Sequence, residues 1–153
     1  MKYVLLILAV LGIIVSSLAL REHYREYGDS PCSINERWDC GVVNHSPFAV
    51  LGGVFDQMGL HAHIPLVSAL PVATFGILGY IVMAGFAFRR GYRTLLVLTA
   101  GSLAFSLYLA HIEKDILGVW CVYCVISLGI ISLMTLLALA TVIATVARRP
   151  RMA

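Results

Sequence analysis

Four uncharged apolar runs dominate this chain and leave it few folds. They are Tyr3 to Leu20, Ile64 to Phe88 (broken only by Pro65 and Pro71), Thr94 to Ala110 and Ile116 to Ala147. A bilayer crossing takes about 20 apolar residues as a helix. Backbone groups in hydrocarbon have no water to bond, so runs of this length are expected to be helical. Composition agrees: 60% of the 153 residues are hydrophobic and 12% are charged, where soluble domains are about a quarter charged. The expectation is an all-α integral membrane protein, a single domain over 1–153 with four transmembrane helices and a large outer loop, 21–63.

The basic residues orient it. Lys2, Arg89, Arg90, Arg93, Arg148, Arg149 and Arg151 fall on one side of a four-span chain, seven of the eleven Lys and Arg. An excess of Lys and Arg marks the cytosolic side, so both termini are assigned there. The other side receives Arg21, Arg25, Arg37, Lys114 and all eight carboxylates, Glu113 and Asp115 among them. That places the 21–63 loop and the 111–115 turn outside the cytosol, at a bacterial inner membrane, or at the endoplasmic reticulum membrane in a eukaryote. Met1-Lys2, the apolar run and Ser17-Leu18-Ala19 also fit a cleavable secretory signal.

All four cysteines fall on that outer side. Cys32 and Cys40 stand in the polar loop, and Cys121 and Cys124 form Cys-Val-Tyr-Cys at the start of the fourth run. Disulfides persist in such compartments. Residues i and i+3 of a helix share a face, and a thiol near a helix start is favoured as its anion. Cys-x-x-Cys at a helix start is a recurring redox arrangement, and Trp120 is a residue type common at the membrane boundary. Two structural disulfides, or four small buried hydrophobes, are the plainer readings. Zinc is disfavoured because the spacing matches no common site, and His61-x-His63 adds little.

The pattern resembles the vitamin K epoxide reductase family over most of the chain. The residues that carry it are Cys32-x7-Cys40, then Val43, Ser46 and Phe48. They continue with Pro71-x-Ala73-x-x-Gly76-x-x-Gly79-Tyr80, Ser106-x-Tyr108-Leu109-Ala110 and Cys121-x-x-Cys124. The resemblance implies a quinone-coupled thiol oxidoreductase supporting disulfide formation. Cys32 and Cys40 would be the shuttle pair, and Cys121 and Cys124 the active-site pair with Cys124 beside the quinone. Phe48, Phe75, Tyr80 and Tyr108 are candidate quinone contacts. The acceptor would be ubiquinone, menaquinone or vitamin K. The reductant would be a separate thioredoxin-fold protein on the outer side, since no such domain follows in this chain; no nucleic acid partner is expected.

Two departures bear on the acceptor. Val72 stands near the position of a polar Asn in vertebrate members, and Val125-Ile126-Ser127-Leu128 replaces their Thr-Tyr-Ala segment. Both weigh against epoxide reduction. The Ser46–Gly76 stretch is long, and Phe48, Val50, Leu51, Val54, Phe55, Met58 and Leu60 make it apolar, so an interfacial half-helix capping the bundle mouth, or a mere membrane anchor, is expected there. The competing functions are a vitamin K quinone or epoxide reductase proper and a non-catalytic, disulfide-stabilised membrane module, to which glycines at helix contacts would also be suited.

Overall fold

The computed structural model describes residues 1–26, 30–59 and 68–147. The expected start of the second span at Ile64, with Pro65, His61 and His63, lies outside the described residues, as do Leu60 and the C-terminal arginines. The protein is all-α. Helix α1 spans Lys2–His23, α2 Cys40–Asn44, α3 Leu51–Gln57, α4 Val72–Phe88, α5 Tyr92–Ile112 and α6 Val122–Ala147. A 3-10 turn, Pro47–Ala49, precedes α3, and a π-helical turn, Glu113–Leu117, extends α5. No strand forms among the described residues; backbone pairing outside the helices is confined to isolated bridges.

Three segments are long and apolar enough to cross a membrane: α1, α5 with its π-turn, and α6; α4 is a shorter apolar helix of 17 residues. Their surfaces match lipid. On α1, Tyr3, Ile7, Val10, Leu11 and Ile14 are exposed, while Leu5, Ala9, Gly12, Ser16 and Ala19 are buried. The buried set recurs at three- and four-residue steps, one stripe of a helix. That stripe faces α4 and α6, and α5 lies against α6. The common core joins Leu5 and Ala9 to Tyr80, Met83, Leu95, Ile131, Met134 and Ala138. Gly12 lets the Tyr80 ring lie directly on the α1 backbone, where a Cβ would collide with it.

Two boundaries differ from those read in the sequence. The fourth helix begins at Val122 rather than Ile116, because Gly118 adopts φ +68° and ends the π-turn. A left-handed residue of this kind suits glycine and closes a helix. The third continues past Ala110 through Glu113 to Leu117, so the short 111–115 turn is helical. Between α4 and α5 the chain reverses over Arg89, Arg90 and Gly91, with Arg90 at φ 59° and the Gly91 N–H donating to the Phe86 carbonyl at 2.9 Å.

Candidate functional site

The outer loop is built onto the bundle by a small set of polar contacts. Asp39 caps α2: its Oδ1 accepts from the Val42 N–H at 3.2 Å and from the Ser33 hydroxyl at 2.6 Å. Those bonds, Ser33 foremost, hold the Asp39 carboxyl below the ordinary carboxylate range. Cap residues satisfy helix N–H groups that otherwise lack partners. At the far end of α2, the ring of His23 on α1 donates to the Asn44 carbonyl at 2.7 Å.

A parallel bridge then brings the two cysteine segments together. The Trp120 N–H donates to the Arg37 carbonyl at 2.8 Å, and the Asp39 N–H donates to the Trp120 carbonyl at 3.1 Å. The rings of Trp38 and Trp120 lie 6.4 Å apart. Trp120, read in the sequence as a boundary anchor, therefore also aligns the residues that follow each tryptophan. Asp39-Cys40 and Cys121 come side by side.

Cys32, Cys40, Val43 and Cys121 form one buried cluster, with Leu117, Val119, Tyr123 and Cys124 packed against it. Cys32 and Cys40 are disulfide-bonded with Cα atoms 5.7 Å apart, whereas Cys121 and Cys124 are free. Cys40 and Cys121 are both 0% exposed. Asn44 spans the pairs: its Nδ2 donates to the Cys40 carbonyl at 2.9 Å and to the Cys121 sulfur at 3.8 Å.

Cys121 immediately precedes α6, and its thiol is held below the ordinary thiol range. The chief cause is the hydrogen bond from the Cys124 thiol; the N–H groups of Cys124 and Tyr123 add to it, against burial and the nearby Glu113. The helix start contributes as the sequence suggests, but the neighbouring thiol contributes more. Glu113 was counted in the sequence only as one of eight outer carboxylates. It is 3% exposed, and its Oε2 accepts the Cys121 N–H at 3.0 Å.

Behind the inner pair lies a cavity of about 410 Å³. Cys124 and Glu113 stand in its wall, and its lining is otherwise mostly apolar. Of the four aromatic candidates, Phe48, Phe75 and Tyr80 line it; Tyr108 does not. Position 108 is one turn from Phe105, which does line the cavity and meets Phe75 edge to face at 5.9 Å. Tyr80 Oη lies 2.9 Å from the Ser127 Oγ and donates to the Ser127 carbonyl at 3.1 Å. One wall is shared by α4 and α5, which touch each other only lightly, and its α4 residues Phe75, Leu78 and Val82 are about half exposed.

Asn44, Glu113 and Ser127 were not singled out from the sequence. The available signal was weak: an Asn among Val43 and Ser46, and a carboxylate eight residues before Cys121. Comparison with curated proteins returns no match. The sequence model of the vitamin K epoxide reductase family matches residues 3–141. With nearly the whole chain matched, and two cysteine pairs brought into one cluster at the mouth of an apolar helical cavity, this integral membrane protein belongs to the vitamin K epoxide reductase family of oxidoreductases.

Proposed function

We propose that the chain is a quinone-dependent thiol oxidoreductase. It takes electrons from a separate thioredoxin-fold protein outside the cytosol and delivers them to a membrane quinone. One observation carries the reading: a bridged outer pair lies against a free inner pair, and Cys124 of that inner pair stands in the wall of an apolar cavity. On this reading, 1–153 forms one domain in which α4 supplies a fourth crossing. Both termini are cytosolic, α3 and its preceding turn form a cap over the cavity mouth, and a bacterial inner membrane is the favoured location.

Cys32, 7% exposed, receives the partner's thiolate. Once reduced, Cys40 attacks Cys121 of the oxidised inner pair, and Cys32 then resolves that mixed disulfide. Exchange of this kind depends on thiolate at the attacking sulfur and a low-pKa leaving group, which the lowered Cys121 provides. In this relay, Cys32–Cys40 bridged with the inner pair free is the state after electrons have moved inward.

The cavity fits a quinone head: its volume lies within the usual 300–1,000 Å³ range of ligand sites, which are mostly apolar with a few placed polar groups. A quinone bound there supplies the two-electron acceptor. Phe48, Phe75 and Tyr80 would contact it, and the apolar walls exclude water from the thiols. Tyr108 remains a contact only for a ligand reaching beyond the cavity.

The test is quinone reduction by purified protein supplied with a dithiol. Wild type is expected to turn over, and Cys124→Ala to fall to background; turnover retained in Cys124→Ala breaks the mechanism. A quinone epoxide offered instead is expected to remain unreduced, given Val72 and the Val125–Leu128 segment.

A further inference from the structure

Among the described residues Glu113 is the one strongly buried carboxylate at the inner pair, and the relay so far leaves it unused. The π-helical turn Glu113–Leu117 turns it inward, whereas Lys114 and Asp115 are exposed, the latter paired with His111 one turn back. Its Oε2 accepts the Cys121 N–H, the carboxyl interacts with the Cys124 thiol, and both Glu113 and Cys124 stand in the cavity wall. No cation pairs with it among the described residues. A lone buried negative charge is costly. A carboxyl so placed, with an acceptor oxygen left over beyond the amide bond, is suited to holding a proton in transit rather than a permanent charge.

Resting on the function proposed above, we infer that Glu113 is a catalytic proton carrier between the Cys124 thiol and the acceptor in the cavity. In the step concerned, the S–H bonds of Cys121 and Cys124 break and one S–S bond forms between them. Two electrons pass to the quinone, and its two oxygens each gain a proton. Glu113 takes the Cys124 proton and releases it into the cavity to one oxygen; the Cys121 proton reaches the other. Atoms and charge balance with no further reactant. The same carboxyl keeps the Cys121 amide bonded throughout, so the inner pair retains its place while the proton moves.

Glu113→Gln separates carrying a proton from accepting the amide bond, because the Gln oxygen still accepts from the Cys121 N–H. Protein reduced at the inner pair would be mixed rapidly with a short-chain quinone, and thiol exchange with a dithiol donor measured separately. The Gln variant should lose on the order of 10²-fold in quinone reduction, the usual worth of a positioned acid or base, and flatten the pH profile, while thiol exchange changes far less. Glu113→Asp should recover part of the rate. Without quinone, infrared difference spectra between dithiol and disulfide forms should contain a carboxyl signal that disappears in Glu113→Gln. Should the Gln variant not assemble, Asp and Asn at 113 provide the same comparison one methylene shorter. Equal rates for carboxylate and amide at this position, or no carboxyl signal assignable to Glu113, overturn the proton role. Failure of the wild type to reduce quinone instead removes the reading on which it rests.

Discussion

The outer and inner cysteine pairs share one buried cluster but owe their places to different parts of the chain. Cys32 and Cys40 are eight residues apart in a polar loop, held by the Asp39 cap and the Trp38–Trp120 bridge. Cys121 and Cys124 are three apart at the start of a 26-residue helix. The outer pair is anchored by the side-chain bonds of Asp39 and the backbone bonds at Trp120, with Cys40 opening α2; in the inner pair Cys124 lies within α6 and Cys121 directly before it. On the proposed reading this asymmetry serves the relay, the outer pair meeting the partner and the inner pair staying at the cavity. Proximity comes from the Trp120–Arg37 and Asp39–Trp120 bonds, and reactivity from the helix start and the neighbouring thiol.

The sharpest way to break that comparison is Cys32→Ser. With the resolving thiol gone, a Cys40–Cys121 mixed disulfide should accumulate and be visible on non-reducing gels after cyanogen bromide or protease mapping. One persistent bridge within each pair in wild type, with no mixed species in the variant, would make both pairs structural.

Asn44 links the pairs, and Asn44→Ala removes its bonds to the Cys40 carbonyl and the Cys121 sulfur. Losing a buried hydrogen-bond partner costs about 1–3 kcal/mol, to be measured as a lower denaturation midpoint in detergent. Inward exchange should slow as well, whereas an unchanged midpoint would show that the bridge at Trp120 alone joins the segments.

Cys121 reactivity should rise with pH through a midpoint below that of a free thiol, since a lowered value means thiolate appears at lower pH. Because Cys124 is the chief cause, Cys124→Ala should move the midpoint of Cys121 alkylation upward. A midpoint that stays put would assign the effect to the helix start instead.

The smallest change is Asp39→Ala, which should destabilise by about 1 kcal/mol through the lost α2 cap. The Asp39 carboxyl is lowered in the folded state, so its contribution is present above the unfolded pKa and declines as pH falls through the folded one. The difference between wild type and variant, followed by denaturation, should therefore shrink in acid.

The sequence was most legible where physics is one-dimensional. An uncharged run of 18 residues in lipid has one solution, and Tyr3–Leu20 sits inside α1 with one residue to spare at its start and three at its end. Cys-x-x-Cys at a helix start was similarly readable, because spacing alone puts 121 and 124 on one side. What depended on helix phase was not. Tyr108 and Phe105 look alike in a string of apolar residues, and only the rotation of α5 decides which one reaches the cavity. Glu113 was visible as a charge, but its inward turn depends on a π-helical step that the apolar pattern does not encode. Asn44 gained its place from the meeting of two distant segments at Trp38 and Trp120, a contact with no local signature.

The half-exposed wall formed by Phe75, Leu78 and Val82 has a consequence for how any ligand of this cavity is counted. On the proposed reading, in which α4 is a fourth crossing, those side chains belong to a helix face that borders lipid, so a hydrophobic ligand arrives by travelling within the membrane sheet rather than through water. The quantity that fills the site is then the number of ligand molecules per lipid. Adding empty lipid thins the supply; adding buffer leaves it unchanged. For this protein, concentration is a two-dimensional quantity.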